Sequence, residues 1–335
     1  MTMKKSLIIA LGAIALVACT KTSVSYEQTG EIGFAPVVRK NSTKAAVEGT
    51  AFPNQKIKVY GYYDNSMATG SSYSAGKFAV EYLPGVEFAK KGATWAGATT
   101  PYYWPKTGSM LFAGYSPADF GVVTFSLENN RFSVAELEQP EFYPTIKDLL
   151  YAGYTTSVLG RTVDMAFSHA LSWVTVNAKA AAANQIRITN IKFVGLAAKG
   201  SSTGLPAWTT TGTKDLTVFA PESAFPVPAE ETLVESNAKC GLVFPQKLTN
   251  AEIVISYEMN NGADQWFAQA PFVQKLNLLT INDGATPLEI WEAGKHYIYN
   301  INFSAIGEPG SNNEITIAPK VDKWTDVNVD GVSAN

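Results

Sequence analysis

The sequence predicts an all-β protein built of antiparallel β-sandwiches, and three observations predict it. Short stretches rich in Val, Ile, Tyr and Phe recur along the chain and alternate apolar with polar residues at period two. Gly, Pro, Asn and Ser separate them, as at Leu83-Pro84-Gly85 and Asn260-Asn261-Gly262. Helical patterning is thin: VAELEQ (134–139) has the composition for a turn or two, and AKAAAANQ (178–185) for a short helix or a loop. Strands without crossover helices cannot form parallel α/β units, which leaves sandwiches.

The chain opens MTMKKSLIIALGAIALVACTK. Lys4 and Lys5 form a positive start, and Leu7 to Val17 an apolar run of signal-peptide length. A bilayer span needs roughly 20 apolar residues, so this run is too short to cross. Leu16-Val17-Ala18-Cys19 has the form of a bacterial lipobox: signal peptidase II would remove residues 1–18 and leave Cys19 to carry lipid. Cys240 is the other cysteine, so a lipidated Cys19 leaves no pair for a disulfide, and burial must hold the fold. Cys240 itself reads as a small buried hydrophobe. Residues 31–46, EIGFAPVVRKNSTKAA, then place a short apolar strand beside a polar segment with Arg39, Lys40 and Lys44. Ile32 and Phe34 alternate, and Ala35-Pro36 is expected to break the run before the polar segment.

The strands follow in order. KIKVYGYY (56–63), KFAVEYL (77–83), SMLFAGY (109–115) and VVTFSL (122–127) precede a stretch, DLLYAGYTTSVLGRTVD (148–164), where the domain joint is expected. After it come LSWVTVNA (171–178), QIRITNIKFVGL (185–196), DLTVFA (215–220), AEIVISYEM (251–259), KLNLLTI (275–281), HYIYNINF (296–303) and NEITIAP (313–319). In HYIYNINF, Tyr297, Tyr299, Ile301 and Phe303 share one face and Ile298 lies opposite. The mature length favours two domains, divided as 19–46 for the lipidated segment, 47–163 and 164–335. No sequence repeat is evident.

Composition and motifs exclude more than they assign. A net charge of −3 gives no basic footprint for nucleic acid. There is no HExxH, CxxC pair, GxSxG elbow or phosphate-binding glycine loop, so no catalytic residue, metal or cofactor is expected. His169 and His296 stand far apart, each read as structural or exposed. Glu258 on a strand and Asp264-Gln265-Trp266 in a loop resemble parts of a sugar site, but hydrolysis needs two carboxylates about 5–10 Å apart, and no pair can be nominated. Tyr102-Tyr103-Trp104-Pro105 is either a sugar-stacking platform or aromatic packing beside a strand.

Several stretches, in order, resemble the fimbrillin family, subunits of type V pili in anaerobic Gram-negative bacteria. They are the lipobox, EIGF with STKAA, FPNQKIKVYGYYD, YYWPKTGSMLFAGYSP, FSHALSWVTV, and WEAGKHYIYNINF followed by Trp324. The resemblance implies two transthyretin-like antiparallel β-sandwich domains, an outer-membrane lipoprotein precursor, and later a place in a cell-surface fimbria. It also implies that a processing protease removes the first strand, and that a strand from another pilin subunit fills the groove left behind. The family often carries Arg where this chain has Lys44, so Arg39 and Lys44 are both candidate cleavage positions. Ile32 and Phe34 would mark the removable strand, and Val327 and Val329 a C-terminal donor strand, with Ile315 and Ile317 as a second option. Adhesion to a host or bacterial surface ligand would accompany polymerisation. The competing expectation is a monomeric, surface-anchored glycan-binding lipoprotein using Tyr102, Trp104 or Trp266.

Overall fold

Seven strands of the first half of the chain close into a barrel. The computed structural model describes residues 30–38, 56–68, 77–92, 94–140, 147–157, 159–181, 185–220, 223–234, 241–260, 262, 265–281, 286–304 and 314–323. The expected signal peptide, Cys19, Arg39, Lys44, Cys240, Val327 and Val329 lie outside the described residues. The first strands are β1 (Phe34–Val38), β2 (Lys56–Asp64), β3 (Val80–Lys91), β4 (Thr94–Gly97), β5 (Ser109–Ser116), β6 (Val123–Ser126), β7 (Arg131–Glu138), β8 (Leu150–Ser157) and β9 (Val163–His169). Around the barrel they run β1-β4-β3-β2-β5-β8-β9. Neighbours are antiparallel except at the closure, where β1 runs parallel to β9.

Alternation explains which side chains fill the barrel. Ile57 and Val59 of β2, Phe88 of β3, Met110 and Phe112 of β5, and Met165 and Phe167 of β9 form one buried cluster. Strand β5 is buried at every position, because its other face is covered too. Ala113 and Tyr115 pack with Phe120, Phe132 and Val134, supplied largely by the β6–β7 hairpin lying outside the barrel. A strand apolar on both faces belongs in the middle of a structure, and SMLFAGYS sits there. The helical expectation for VAELEQ is overturned. Arg131–Glu138 is a strand, with Val134 opposite Val123 of β6. Pairing on both sides outweighs the weak local propensity of Ala and Glu for helix.

The second half carries β10 (Ser172–Ala180), β11 (Ile186–Leu196), β12 (Lys199–Gly204), β13 (Ala207–Thr211), β14 (Lys214–Phe219), β15 (Gly241–Val243), β16 (Glu252–Asn260), β17 (Trp266–Ala268), β18 (Phe272–Lys275), β19 (Lys295–Ser304) and β20 (Glu314–Lys323). One sheet runs β15-β10-β19-β20, and the other runs β14-β11-β16 with β17 and β18 along the far edge of β16. Val174, Val176, Tyr297, Tyr299, Ile301 and Phe303 from the first sheet share a core with Ile188, Ile191, Phe193, Ile253 and Ile255 from the second. The expected face of HYIYNINF is the buried one, and Ile298 lies on the outer side. Within this core Trp291 Nε1 donates to Tyr299 Oη at 2.9 Å, and its ring meets Phe193 edge-on at 5.6 Å. The sheets are antiparallel but for β10 and β19, which run parallel from Trp173↔His296 to Ala180↔Phe303.

A third sheet, β13-β12-β7-β6, takes two strands from each half. Lys199 of β12 pairs with Glu138 of β7. Beside it Gln139 Nε2 donates to Leu242 O at 2.7 Å, and Trp208 Nε1 to Ala170 O at 2.7 Å. The barrel ends at His169 and the next sheet begins at Ser172, so the division expected after residue 163 falls on the first residue of β9. Among the described residues the helical structure is one 3₁₀ turn, Leu276–Leu278, and no helix is long and apolar enough to cross a membrane.

Candidate functional site

The first strand is a wedge that closes the barrel. Phe34 faces Trp95 of β4, while Phe34, Ala35, Pro36, Val37 and Val38 pair in parallel with Val163, Asp164, Met165, Ala166 and Phe167 of β9. Before the strand, the chain is bound to the YYW stretch. Glu31 and Tyr103 form an antiparallel bridge, Ile32 N donates to Tyr102 O at 2.7 Å, and Trp104 N donates to Gly30 O at 3.1 Å. Tyr82 Oη in turn donates to Tyr103 O at 2.5 Å, tying this stretch to β3.

Burial follows the alternation. Ile32 and Phe34 are 0% exposed and Val38 is 4% exposed. The Phe34 ring sits edge-on to Phe88 at 4.7 Å and to Phe112 at 5.2 Å. Fully burying such a side chain contributes about 1.5–3 kcal/mol, so three of them hold a short strand that has few ladder bonds. Pro36 does not end the strand as expected; it is a buried residue within it. The reason lies in the ladder. Gly33 O accepts from Val163 N at 2.9 Å, so residue 33 faces β9 and residues 34, 36 and 38 turn their main-chain groups to the other edge. There β4 pairs at Phe34 alone, and a proline two residues on forfeits no ladder bond.

The candidate glycan contacts are dispersed. Trp104 is 1% exposed, packed edge-on to Phe112 at 5.7 Å, and Tyr102 is half-buried with its ring 6.0 Å from Phe88. Both line the barrel core beside the first strand, which is the packing alternative for that stretch. Trp266 lies on the second unit, half-buried, with the Arg187 guanidinium 4.4 Å from its ring centre. Arg187 Nε also donates to Glu258 Oε2 at 2.5 Å, so Glu258 is half of an ion pair.

The two histidines remain apart. His169 is buried with Nδ1 2.5 Å from Asp148 Oδ2. His296 stacks on Trp173 with ring centres 3.9 Å apart, and its Nε2 lies 2.8 Å from Thr175 Oγ1. Burial pushes its imidazole down to about 4, against the pull of nearby Asp322 and with the help of Lys320. The sign follows directly. A base whose folded pKa lies below its unfolded value contributes stability that is present above about 6.5 and is lost as pH falls toward about 4. Thermal melting across that range should show the wild type losing on the order of 2 kcal/mol more than His296→Gln; parallel curves would refute the assignment. Among the described residues no cluster of three His, Cys, Asp or Glu side chains is placed to hold a metal.

The groove walls, Trp95, Met165 and Phe167 above all, were not singled out in the sequence. Val163, Met165 and Phe167 do alternate there, but the stretch 148–164 was expected to hold the domain joint.

A model of the fimbrillin-like family matches residues 43–324. No curated protein sequence matches the chain. A candidate cell adhesion protein of Bacteroides ovatus is similar in structure, with a TM-score of 0.55 at 15% identity over 89% of this chain and 99% of its own. A fimbrilin of Porphyromonas gingivalis aligns over 90% of this chain and 99% of its own, with a TM-score of 0.43 and 11% identity. The fimbrial anchor protein Mfa2 of Porphyromonas gingivalis covers 88% of this chain and 97% of its own, at 0.34 and 11%. The first of these likenesses shows a shared fold.

Proposed function

Because the chain belongs to the fimbrillin-like family, we propose that it is a non-enzymatic structural subunit of a cell-surface fimbria of the type V kind, contributing to adhesion. It is exported as a lipoprotein anchored to the outer membrane through Cys19, with the barrel and the paired sheets as its two domains. A trypsin-like protease then hydrolyses the peptide bond after Arg39 or Lys44, and the first strand leaves with its lipid. The observation that carries this reading is the position of β1. It ends at Val38, with Arg39 next in sequence, and it fills a slot between β4 and β9 through Phe34, Pro36 and Val38, with buried Ile32 just ahead of it.

A cut after Arg39 leaves that wedge without a covalent link to the barrel. Its loss uncovers the apolar walls Trp95, Phe112, Met165 and Phe167 and the unpaired edge of β9, a combination that favours capture of another strand. A strand from the C-terminal end of another pilin subunit refills the slot. Charge-neutral replacement of both basic positions, Arg39→Gln with Lys44→Gln, tests this. The variant should form no polymer while its far-UV circular dichroism stays that of the wild type. Polymerisation at the wild-type rate would contradict cleavage at these positions.

A further inference from the structure

We propose that the β12–β13 hairpin of the second unit is a brace for the slot, with Trp208 as its positioning residue. The brace holds β9 in place during the interval in which β1 has left and no strand has replaced it. The inference rests on the removal of β1 and says what keeps the vacated wall standing.

Strand β9 is paired unevenly. Its residues 163–167 pair with β1, from Phe34↔Val163 to Val38↔Phe167. Its ladder to β8 is Leu150↔His169 and Tyr151↔Ser168, at the last two positions of the strand. Val163 N also donates to Gly33 O at 2.9 Å, just ahead of β1. Departure of β1 therefore strips ladder partners from most of β9 and leaves the strand held at one end. Segments with few ladder bonds open locally at low free energy. Met165 and Phe167, facing an empty slot, are also driven to fold inward. A wall that frays or collapses cannot template an incoming strand.

The held end is where the second unit grips. Ala170 N donates to Leu149 O at 2.8 Å, and Trp208 Nε1 donates to Ala170 O at 2.7 Å. Gly294 N donates to Leu171 O at 2.8 Å. Trp208 and Gly294 both belong to the second unit, and Ala170 and Leu171 are 0% exposed. Leu205, in the turn between β12 and β13, shares a buried cluster with Ala170, Leu149 and Phe132. Its main-chain N donates to Phe132 O at 2.9 Å.

The hairpin can brace because it is itself fixed on both sides. Strand β12 pairs with β7 from Lys199↔Glu138 to Ser202↔Val134, and with β13 from Lys199↔Thr211 to Gly204↔Ala207. The Trp208 ring lies 5.1 Å from that of Phe244. Gly200 lets β12 sit this close, since an added Cβ would meet the Phe244 ring at 2.7 Å. In the precursor, β1 and the brace both hold β9, so loss of the brace alone moves the strand little. After cleavage the brace acts alone.

Hydrogen exchange read by mass spectrometry tests this asymmetry. Chains starting at residue 19, with Cys19→Ser, are compared before and after cleavage by a trypsin-like protease, following the amides of residues 163–171. Trp208→Phe keeps an aromatic ring and removes the indole donor, and Leu205→Ala loosens the turn without removing that donor. In the wild type, cleavage should speed exchange at 163–167 and leave 168–171 protected. Trp208→Phe should stay within about twofold of the wild type before cleavage and exchange about tenfold faster across 163–171 after it, the effect of a buried carbonyl left without its donor. Leu205→Ala should show the same pattern, and polymer yield should fall in both variants. Variants that exchange as the cleaved wild type does would overturn the brace while leaving strand removal intact. So would variants that speed exchange equally before and after cleavage, which marks a merely structural contact. Unchanged exchange at 163–167 in the cleaved wild type would mean that β1 stays in place, and would sink both readings.

Discussion

Phe34→Ala should lower the stability of the uncleaved chain by about 3–5 kcal/mol, the range for deleting a buried phenylalanine ring. Two features put it at that end of the range. The ring is 0% exposed, and its edge-on partners Phe88 and Phe112 sit on strands fixed by their own ladders, so the cavity cannot close easily. The effect should also be confined to the precursor. Once β1 has been cut away and replaced, residue 34 is no longer part of the fold, and polymer assembled from the variant should resist denaturation as wild-type polymer does. Urea unfolding of both forms reads the two quantities. Equal losses in precursor and polymer would mean that β1 stays in place.

Trp104→Ala should cost the precursor a similar amount, about 3–5 kcal/mol. The side chain is 1% exposed and packs edge-on to Phe112, and its main chain holds Gly30 at the entrance of the first strand. A residue serving mainly as a sugar platform would behave differently, since its loss would remove ligand binding and leave melting nearly unchanged. The barrel position predicts the reverse, a large fall in melting temperature. Phe34 and Trp104 both touch Phe112, so the double substitution should destabilise by less than the sum of the two. Additive losses would mean that the two side chains pack independently.

Much of the fold is legible in the letters where alternation is strong. KIKVYGYY, SMLFAGY, LSWVTVNA and HYIYNINF lie in strands, and the last buries the face its pattern marks. What escaped was decided by partners distant in sequence. The VDMAFSH stretch becomes a strand through its parallel pairing with β1. VAELEQ is drawn into a sheet by β6 and β12, against its own weak preference. Pro36 reads as a strand breaker, and only the one-sided pairing with β4 makes it harmless.

The candidate site was legible in outline and not in detail. Ile32 and Phe34 can be picked out by their spacing, but nothing in a single sequence reveals that Trp95, Met165 and Phe167 form their slot. Tyr102 and Trp104 stood out as aromatics whose role packing alone could settle.

The most direct measurement is the mass of the N-terminal peptide of the chain in fibres sheared from the cell surface. A start at Lys40 or Ala45 is the predicted result, because it places the cut between β1 and the barrel it closes. A start at lipidated Cys19 in assembled fibres would contradict the account, since the first strand would then still occupy the slot that polymerisation needs.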